Sequence, residues 1–195
     1  MKKDKKTVYV RVRDKIDSGT KCQYYIWFGE RSNGKTFSSM EYVLEEYLKG
    51  NGSGAYIRRW EEDIKGSLGS ELLKGHKETI KRLTKGEFNS YKYFQRKYYL
   101  THEKANGEID KADNKPFCYS FALSMQEHYK SNSYLDIRTV VLDEFISRNY
   151  LPDEFIIFQN LLSTIIRDRD DVIILMLGNT INKYCPYFGE MGLDK

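Results

Sequence analysis

The sequence is poor in the residues that form metal clusters and disulfide frameworks. Its three cysteines lie far apart, with no C-x-x-C pair and no histidine at ligand spacing: Cys22, Cys118 and Cys185. The three histidines are isolated from one another: His76, His102 and His128. This scarcity argues against a structural zinc site or a disulfide framework and indicates a reducing compartment.

Long apolar runs are also missing. The basic residues 1–6 are not followed by the apolar segment of a signal peptide, and no stretch approaches the roughly 20 apolar residues of a membrane span. We therefore expect a soluble protein that is not secreted and has no membrane partner. Its 195 residues suggest one domain. The net charge of +4 is compatible with a nucleic-acid partner but does not require one.

What the sequence does contain is a loop of the form G-x-x-x-x-G-K-T, made of Gly29, Glu30, Arg31, Ser32, Asn33, Gly34, Lys35 and Thr36. The aromatic and β-branched residues 22–28 precede it and predict a buried strand. Residues 36–49 follow it, with apolar side chains at helical spacing. A strand, a glycine loop and a helix form the context in which such a loop binds nucleotide phosphates. A chance match in a chain of this length is about a one-in-a-hundred event.

The chemistry of phosphate binding explains the residues of this loop. Gly29 and Gly34 let the backbone turn tightly, so that its N–H groups point at phosphate oxygens beside the positive end of the following helix. We expect Lys35 to reach the β- and γ-phosphates and the Thr36 hydroxyl to hold Mg²⁺. The loop therefore predicts that the chain binds ATP or GTP with Mg²⁺.

Predicted strands and helices alternate along the rest of the chain. Strands are expected at residues 7–13, 55–60, 137–142 and 172–177, and helical stretches at 61–85, 125–130 and 152–169. Residues 87–119, returning through 117–121, predict a β-hairpin insertion. A solvated, partly packed hairpin is favoured there over a nucleic-acid contact through its Lys, Arg and Tyr side chains. Together these patterns predict an α/β fold with a mostly parallel central sheet flanked by helices, plus the hairpin insertion.

Polar residues stand where two of the predicted buried strands end, the edge at which parallel sheets present ligand-binding groups. Asp143 is expected to contact Mg²⁺ and Glu144 to polarise the attacking water, the alternative being that Asp143 only starts a turn. Asn179 is expected to bind that water or the γ-phosphate, with a plain turn as its alternative. Arg167 and Arg169 close the intervening helix. They either pair with neighbouring acids and the helix dipole or supply an arginine finger.

The chain resembles the DNA-packaging (encapsidation) ATPases of small podoviruses over roughly residues 22–190. Besides the phosphate loop, the resemblance rests on residues 56–59 (Tyr-Ile-Arg-Arg), 130–132 (Lys-Ser-Asn), 139–145, 166–169 (Ile-Arg-Asp-Arg), 177–179 and 182–188. It implies a terminase-like P-loop ATPase of the ASCE division. In that division an extra strand separates the phosphate-loop strand from the acidic strand.

The resemblance also implies roles for individual residues. Lys35 and Thr36 would bind ATP and Mg²⁺, Asp143 would serve Mg²⁺, and Glu144 would be the catalytic glutamate. Arg167 is favoured over Arg169 as a finger that acts in a neighbouring subunit.

Further basic residues are implied at the nucleotide. Lys130 corresponds to one near the neighbour's nucleotide, and either Arg58 or Arg59 to one near the phosphates. The sequence departs from some relatives at Gly178, where they carry a hydroxyl residue, which weakens the sensor role of Asn179.

The implied setting is a homo-oligomeric, pentameric ring at the portal vertex of a procapsid, in the host-cell cytoplasm. The ring would drive double-stranded DNA inward, in some members with a structural packaging RNA. We expect residues 1–195 to form a single ATPase domain without the C-terminal nuclease-like domain of the family, and we assign no nuclease activity.

Two alternative functions remain open. One is another ring-forming ASCE ATPase, such as a DNA helicase or DNA pump. The other is a non-hydrolysing nucleotide switch. Glu144 argues against a switch, because a switch needs no water-polarising carboxylate.

Overall fold

The computed structural model describes residues 11–19, 21–167, 169–179 and 185–193. Its strands are Tyr24–Gly29 (β1), Ser53–Arg58 (β2), Ser90–Phe94 (β3), Lys97–Glu103 (β4), Ile109–Ala112 (β5), Cys118–Ala122 (β6), Ile137–Asp143 (β7) and Ile173–Asn179 (β8). Its α-helices are Val12–Ser18 (α1), Lys35–Leu48 (α2), Gly66–Glu71 (α3), Lys77–Leu83 (α4), Glu154–Ile165 (α5) and Pro186–Glu190 (α6). Short 3₁₀ segments lie at Glu61–Ile64, Lys74–His76 and Leu123–Tyr129.

One mixed sheet joins the strands in the order β1-β8-β7-β2-β6-β4-β3, with β5 paired to β4. Neighbouring strands from β1 to β6 in that order are parallel. Strands β7 and β8 are apolar and buried along most of their length, as expected where helices cover both faces. The predicted α/β fold with a mostly parallel sheet is confirmed, and β8 separates β1 from β7 as the resemblance implies.

Helices pack on both faces of this sheet. One apolar layer lies under α2 and α4, and the other under α5 and α6. Helix α2 lies so close to β2 that a Cβ atom at Gly54 would stand 2.3 Å from Val43 Cγ1. The position therefore needs glycine, and this contact fixes the helix whose first turn carries Lys35 and Thr36. None of the described helices is both long and apolar enough to span a membrane.

The predicted β-hairpin insertion is present, but its boundary was predicted incorrectly. Strands β3, β4 and β5 are antiparallel neighbours, as a hairpin requires. Residues 117–121, expected as the return of the hairpin, instead supply β6, which pairs parallel with β2 and antiparallel with β4. Four of its five residues are buried. The strand therefore belongs to the main sheet and joins the antiparallel part to it.

The prediction of a strand over residues 7–13 is wrong for its described part. Val12 and Arg13 open helix α1, while residues 7–10 lie outside the described part of the chain. The Val12 N–H donates to the Ser38 hydroxyl at 2.8 Å, and Arg13 bonds with Glu45 and Glu46 on α2. These contacts with a neighbouring helix outweigh the alternating pattern, because strand preference depends strongly on tertiary context.

Other elements are shorter than predicted or start elsewhere. The helix expected at 152–169 is α5, Glu154–Ile165, so Pro152 precedes it and does not lie in its first turn. Asp153, at its N-cap, has a left-handed backbone with φ of 52°. The strand expected at 55–60 begins at Ser53 and ends at Arg58. The charged stretch 61–85 divides into α3, α4 and two 3₁₀ segments, and the short helix expected at 125–130 is the 3₁₀ segment Leu123–Tyr129.

Candidate nucleotide site

The glycine loop leaves the carboxyl end of β1 and enters the first turn of α2. Gly34 has φ of 80°, a left-handed conformation that glycine adopts without steric cost, and Ser32 has φ of 64°. The Ser38 N–H donates to the Gly34 carbonyl at 2.8 Å and starts the helix. The loop thus stands at a helix N-terminus, where backbone N–H groups and the helix dipole favour an anion.

The Lys35 side chain folds back over this loop. Its Nζ donates to the Gly29 carbonyl at 3.2 Å, the Glu30 carbonyl at 2.9 Å and Asn33 Oδ1 at 3.0 Å. Burial lowers the pKa of the Lys35 ammonium, and the nearby Asp143 carboxylate acts in the opposite direction. The charge expected to meet phosphate is therefore held by the loop itself.

The Asp143 carboxylate is buried within the site. Its Oδ2 accepts the Thr36 hydroxyl at 3.0 Å and the Tyr56 hydroxyl at 2.9 Å. Burial raises the pKa of Asp143, while Arg58 and these two hydrogen bonds lower it. The same burial, together with the Asp143 charge, raises the pKa of Tyr56 well above its ordinary value. Tyr56 therefore remains a hydrogen-bond donor to Asp143.

Arg58 bridges Asp143, the last residue of β7, and Glu144, the residue that follows it. Its Nη2 donates to Glu144 Oε2 at 2.8 Å, and its Nη1 lies 3.8 Å from Asp143 Oδ2. Burial alone would lower the pKa of Arg58, but Tyr56, Asp143 and Glu144 raise it. The Glu144 side chain is 45 % exposed, and its backbone is left-handed with φ of 58°. The water-polarising group expected from the sequence is thus engaged by an arginine.

Of the two arginines between which the sequence could not choose, only Arg58 points into this cluster. Successive side chains of a strand point to opposite faces, so Arg58 shares the face of Tyr56. Arg59 lies on the other face, buried against α5 and paired with Glu154 at 2.6 Å.

Asn179 completes the edge of the cavity. It pairs in register with Gly29 across the parallel strands β8 and β1. A cavity of about 420 Å³ is lined by the loop residues Arg31–Thr36, by Phe37, by Asp143 and Glu144, and by Leu177, Gly178 and Asn179. A Cβ atom at Gly178 would stand 2.7 Å from Ile146 Cδ1 and 2.9 Å from Phe145 Cε1. Local packing therefore explains why this chain carries no hydroxyl residue at Gly178.

The oxygen atoms of the site fit Mg²⁺. Thr36 and Asp143 offer a hydroxyl and a carboxylate, the hard oxygen ligands that this ion prefers. Within the described residues no three His, Cys, Asp or Glu side chains form a metal-binding group. Mg²⁺ that is held by one or two protein oxygens, substrate phosphates and water needs no such group.

Three predicted residues lie away from this cavity. The exposed Lys130 pairs with Glu127, with its Nζ 2.6 Å from Oε2. Arg169 is fixed because its guanidinium donates to four backbone carbonyls, those of Tyr134, Leu135, Ile165 and Ile166. Arg167 is exposed, has φ of 50°, and makes no hydrogen bond or ion pair with another described residue. Asp168 and residues 180–184, which contribute to the resemblance, lie outside the described part of the chain.

Sequence reasoning missed Tyr56 and the inward orientation of Arg58. A signal for both was available, because Tyr56 and Arg58 stand two apart in a strand and must share a face. The local sequence does not show which face of β2 meets Asp143.

The parallel sheet, the loop at a helix N-terminus and the acidic strand two places away define a phosphate-loop nucleoside-triphosphatase fold of the ASCE division. The family model of the podovirus DNA encapsidation protein (Gp16) matches residues 4–193. The chain belongs to this family of DNA packaging proteins.

Individual relatives agree with that assignment. The DNA packaging protein of Bacillus phage B103 is 25 % identical over 171 residues, which cover 85 % of this chain and 46 % of the relative. The Phi-28 gp11 DNA packaging motor superposes with a TM-score of 0.73 at 25 % identity over 94 % of this chain and 53 % of that one. The N-terminal domain of the phi29 DNA packaging ATPase has the same fold, with a TM-score of 0.73 at 21 % identity over 96 % of this chain and 87 % of that domain. The chain spans about half the length of the curated relatives it matches.

Proposed function

We propose that this chain is the ATP-hydrolysing motor domain of a ring that drives double-stranded viral DNA into a procapsid. The observation that carries the proposal is the cluster of Thr36, Asp143, Arg58 and Glu144 beside the glycine loop. Thr36, Asp143 and Glu144 line one cavity together with the loop, which supports metal binding and water activation within the same site.

ATP binding begins with the loop and Lys35. The N–H groups of residues 29–36 and the Lys35 ammonium receive the phosphates, after Lys35 leaves the two carbonyls and Asn33 that it now bonds. The Thr36 hydroxyl and the Asp143 carboxylate would hold Mg²⁺, and Tyr56 fixes the Asp143 oxygen nearest to Thr36. Mg²⁺ held there would supply positive charge beside the phosphate oxygens.

Hydrolysis requires Glu144 to accept a proton from the attacking water. In this structure its Oε2 accepts a hydrogen bond from Arg58 at 2.8 Å, so Arg58 competes with water for that oxygen. Arg58, once released, can turn toward the γ-phosphate, and Asn179 lies at the same edge to bind that phosphate or the water. Both residues thereby sense whether a triphosphate is present.

The remaining positive charge comes from a neighbouring subunit. Arg167 follows α5 at the amino ends of the strands, whereas Asn179 and the glycine loop lie at their carboxyl ends. Strand β8, Ile173–Asn179, separates the two edges by about 20 Å, at about 3.3 Å per residue. Arg167 therefore cannot serve its own nucleotide and acts as a finger in the next subunit of the ring, with Lys130 as a second basic residue there.

The wider setting follows from the family. We propose that residues 1–195 form a single ATPase domain, that the ring is pentameric, and that it acts in the host cytoplasm at the portal vertex. In some settings it docks on a structural packaging RNA. The match to the encapsidation family and the related DNA packaging proteins support DNA packaging as the process.

The test is the rate of steady-state phosphate release against protein concentration, with and without DNA and procapsids. A site shared between subunits predicts that turnover per chain rises steeply with concentration. Stimulation by DNA but not by procapsids would favour a helicase or another DNA pump. Nucleotide binding without phosphate release at any concentration would favour a switch and contradict the proposal.

A further inference from the structure

A buried ion pair lies directly behind the proposed catalytic glutamate, on the far face of the sheet. Arg59 is 6 % exposed and Glu154 is 2 % exposed. Arg59 Nε donates to Glu154 Oε2 at 2.6 Å and its Nη2 to Glu154 Oε1 at 2.8 Å. Such a two-pronged pair is both strong and specific in its geometry.

The guanidinium of Arg59 also binds the chain that follows β7. Its Nη1 donates to the Glu144 carbonyl and its Nη2 to the Phe145 carbonyl, both at 3.2 Å. Its plane lies over the Tyr150 ring at 5.0 Å, and the Tyr150 hydroxyl accepts the Ser147 N–H at 3.0 Å. The segment from Glu144 to Tyr150 is therefore organised around one side chain.

The backbone of Glu144 needs such support. Its φ of 58° is a left-handed conformation that is unfavourable for a non-glycine residue unless its surroundings hold it. Two further hydrogen bonds hold the backbone N–H groups of Glu144 and of the next residue. The Glu144 N–H donates to Asp143 Oδ1 at 3.0 Å, and the Phe145 N–H donates to the Leu177 carbonyl at 3.1 Å. Arg59 supplies the bonds to the carbonyl side.

Glu154 in turn ties Arg59 to two other parts of the fold. Its carboxylate accepts the Leu151 N–H at 2.8 Å and the Tyr187 hydroxyl at 2.9 Å. Tyr187 belongs to α6, which follows β8, and Leu151 precedes α5. The Arg59 backbone is held as well, because its carbonyl accepts the Ser124 N–H at 3.0 Å.

We propose that the Arg59–Glu154 pair is a positioning device for the catalytic glutamate. It holds the backbone of Glu144 in its left-handed conformation and thereby directs the carboxylate toward the nucleotide cavity. The inference rests on the proposed function of Glu144. It assigns Arg59 no contact with nucleotide, in contrast to its neighbour Arg58.

The decisive variant removes both charges together, since a single truncation would leave a buried charge without a partner. In Arg59→Met/Glu154→Gln, the glutamine oxygen still accepts the Leu151 N–H, and its NH₂ group can donate to the Tyr187 hydroxyl oxygen. We expect the thermal midpoint to fall, because the Glu144 and Phe145 carbonyls lose their donors, and the dissociation constant for a fluorescent ATP analogue to stay close to wild type below that midpoint. Turnover should fall about ten- to a hundredfold, as a slightly misplaced catalytic group predicts.

A single variant and a control accompany it. Arg59→Lys keeps the charge, but one ammonium cannot reach both Glu154 oxygens and both carbonyls, so turnover should fall with the dissociation constant unchanged. Arg13→Lys is the matched control, because Arg13 also bridges two carboxylates, Glu45 and Glu46, yet lies at the far end of α2. It should lower the thermal midpoint and leave turnover unchanged.

The outcomes separate the two hypotheses. A wild-type chain that binds ATP but never releases phosphate contradicts the proposed function. A wild type that hydrolyses ATP, beside a folded double variant with equal turnover, contradicts only the positioning role. If the double variant does not fold, Arg59→Lys decides, and wild-type turnover in that variant overturns the inference.

Discussion

The arginines at the two edges of the parallel sheet differ in the partners available to them. At the carboxyl edge, Arg58 pairs with three acids of its own subunit, Asp63, Asp143 and Glu144. At the amino edge, Arg169 donates to carbonyl groups, while Arg167, two residues earlier, is exposed and makes no bond to a described residue. The cation at the carboxyl edge is therefore satisfied within the subunit, and Arg167 at the amino edge has no such partner among the described residues.

The largest effect is expected from Arg167→Ala. If Arg167 is a finger for the neighbouring subunit, turnover should fall by about 10³- to 10⁵-fold while ATP binding stays intact. Phosphate release and binding of a fluorescent ATP analogue measure the two properties. Mixing this variant with Glu144→Gln, which retains Arg167, should restore part of the activity.

Arg169→Lys is the control for that experiment. It should lower the thermal midpoint, because a lysine cannot replace four hydrogen bonds to carbonyls, and should leave turnover below that midpoint largely unchanged. Equal loss of turnover in the two variants, or no recovery in the mixture, would remove the distinction between Arg167 and Arg169.

At the carboxyl edge, Glu144→Gln should lower turnover by about 10²- to 10⁴-fold, the usual contribution of a general base. ATP binding should be unchanged or tighter, because the ion pair with Arg58 no longer competes with the triphosphate. Single-turnover hydrolysis and equilibrium binding test this. Wild-type turnover in the variant would exclude Glu144 from the mechanism.

Gly178→Ser should affect stability more than chemistry. The added Cβ would meet Ile146 and Phe145 at less than ordinary contact distance, so we expect a loss of about 1 to 3 kcal/mol in the free energy of unfolding. Urea titration measures this loss. The matched variant Gly178→Ser/Ile146→Val, which shortens the contacting side chain, should recover part of it. An unchanged midpoint in the single variant would contradict the packing explanation.

The smallest effect concerns the pH dependence of stability. Because burial raises the pKa of Asp143 above its ordinary value near 3.9, ionising Asp143 costs more in the folded than in the unfolded chain. Its contribution to the free energy of unfolding is thus present below the ordinary pKa and is lost as pH rises through the raised pKa. Asp143→Asn cannot ionise, so its stability does not decrease with pH for this reason.

Thermal melts without Mg²⁺ should show this difference. The midpoint of Asp143→Asn minus that of the wild type should increase from pH 4 to pH 7. An effect of about 1 kcal/mol corresponds to about 2 to 4 °C for a chain of this size. A difference in midpoint that stays constant or decreases with pH would show that ionisation of Asp143 does not destabilise the folded state.

Much of the fold could be predicted because the hydrophobic periodicity of each segment agrees with the glycine and polar residues that end it. The glycine loop between a strand and a helix, and the apolar runs that end in Asp143 and Asn179, place their residues at one edge of a sheet without any tertiary information. The structure brings these segments together in one cavity.

The wrong or undecided predictions have a common cause. In each case a contact with an element distant in sequence decides the structure, and the local sequence does not contain that contact. Whether Arg58 or Arg59 points inward depends on which face of β2 meets Asp143, and a shift of one residue would reverse it. Residues 117–121 form a main-sheet strand because β2 offers them a partner. Val12 and Arg13 are helical because α2 presents Ser38, Glu45 and Glu46 to them.

The closed glycine loop has a consequence for nucleotide affinity. Lys35 is bonded to Gly29, Glu30 and Asn33, so under the proposed function the loop would compete with ATP for its own lysine. The apparent dissociation constant would then equal the intrinsic constant divided by the fraction of chains in which Lys35 is released. Asn33→Ala removes one of the competing acceptors and should tighten ATP binding. In a ring, any neighbour that draws Lys35 away from the loop would raise affinity without touching the nucleotide.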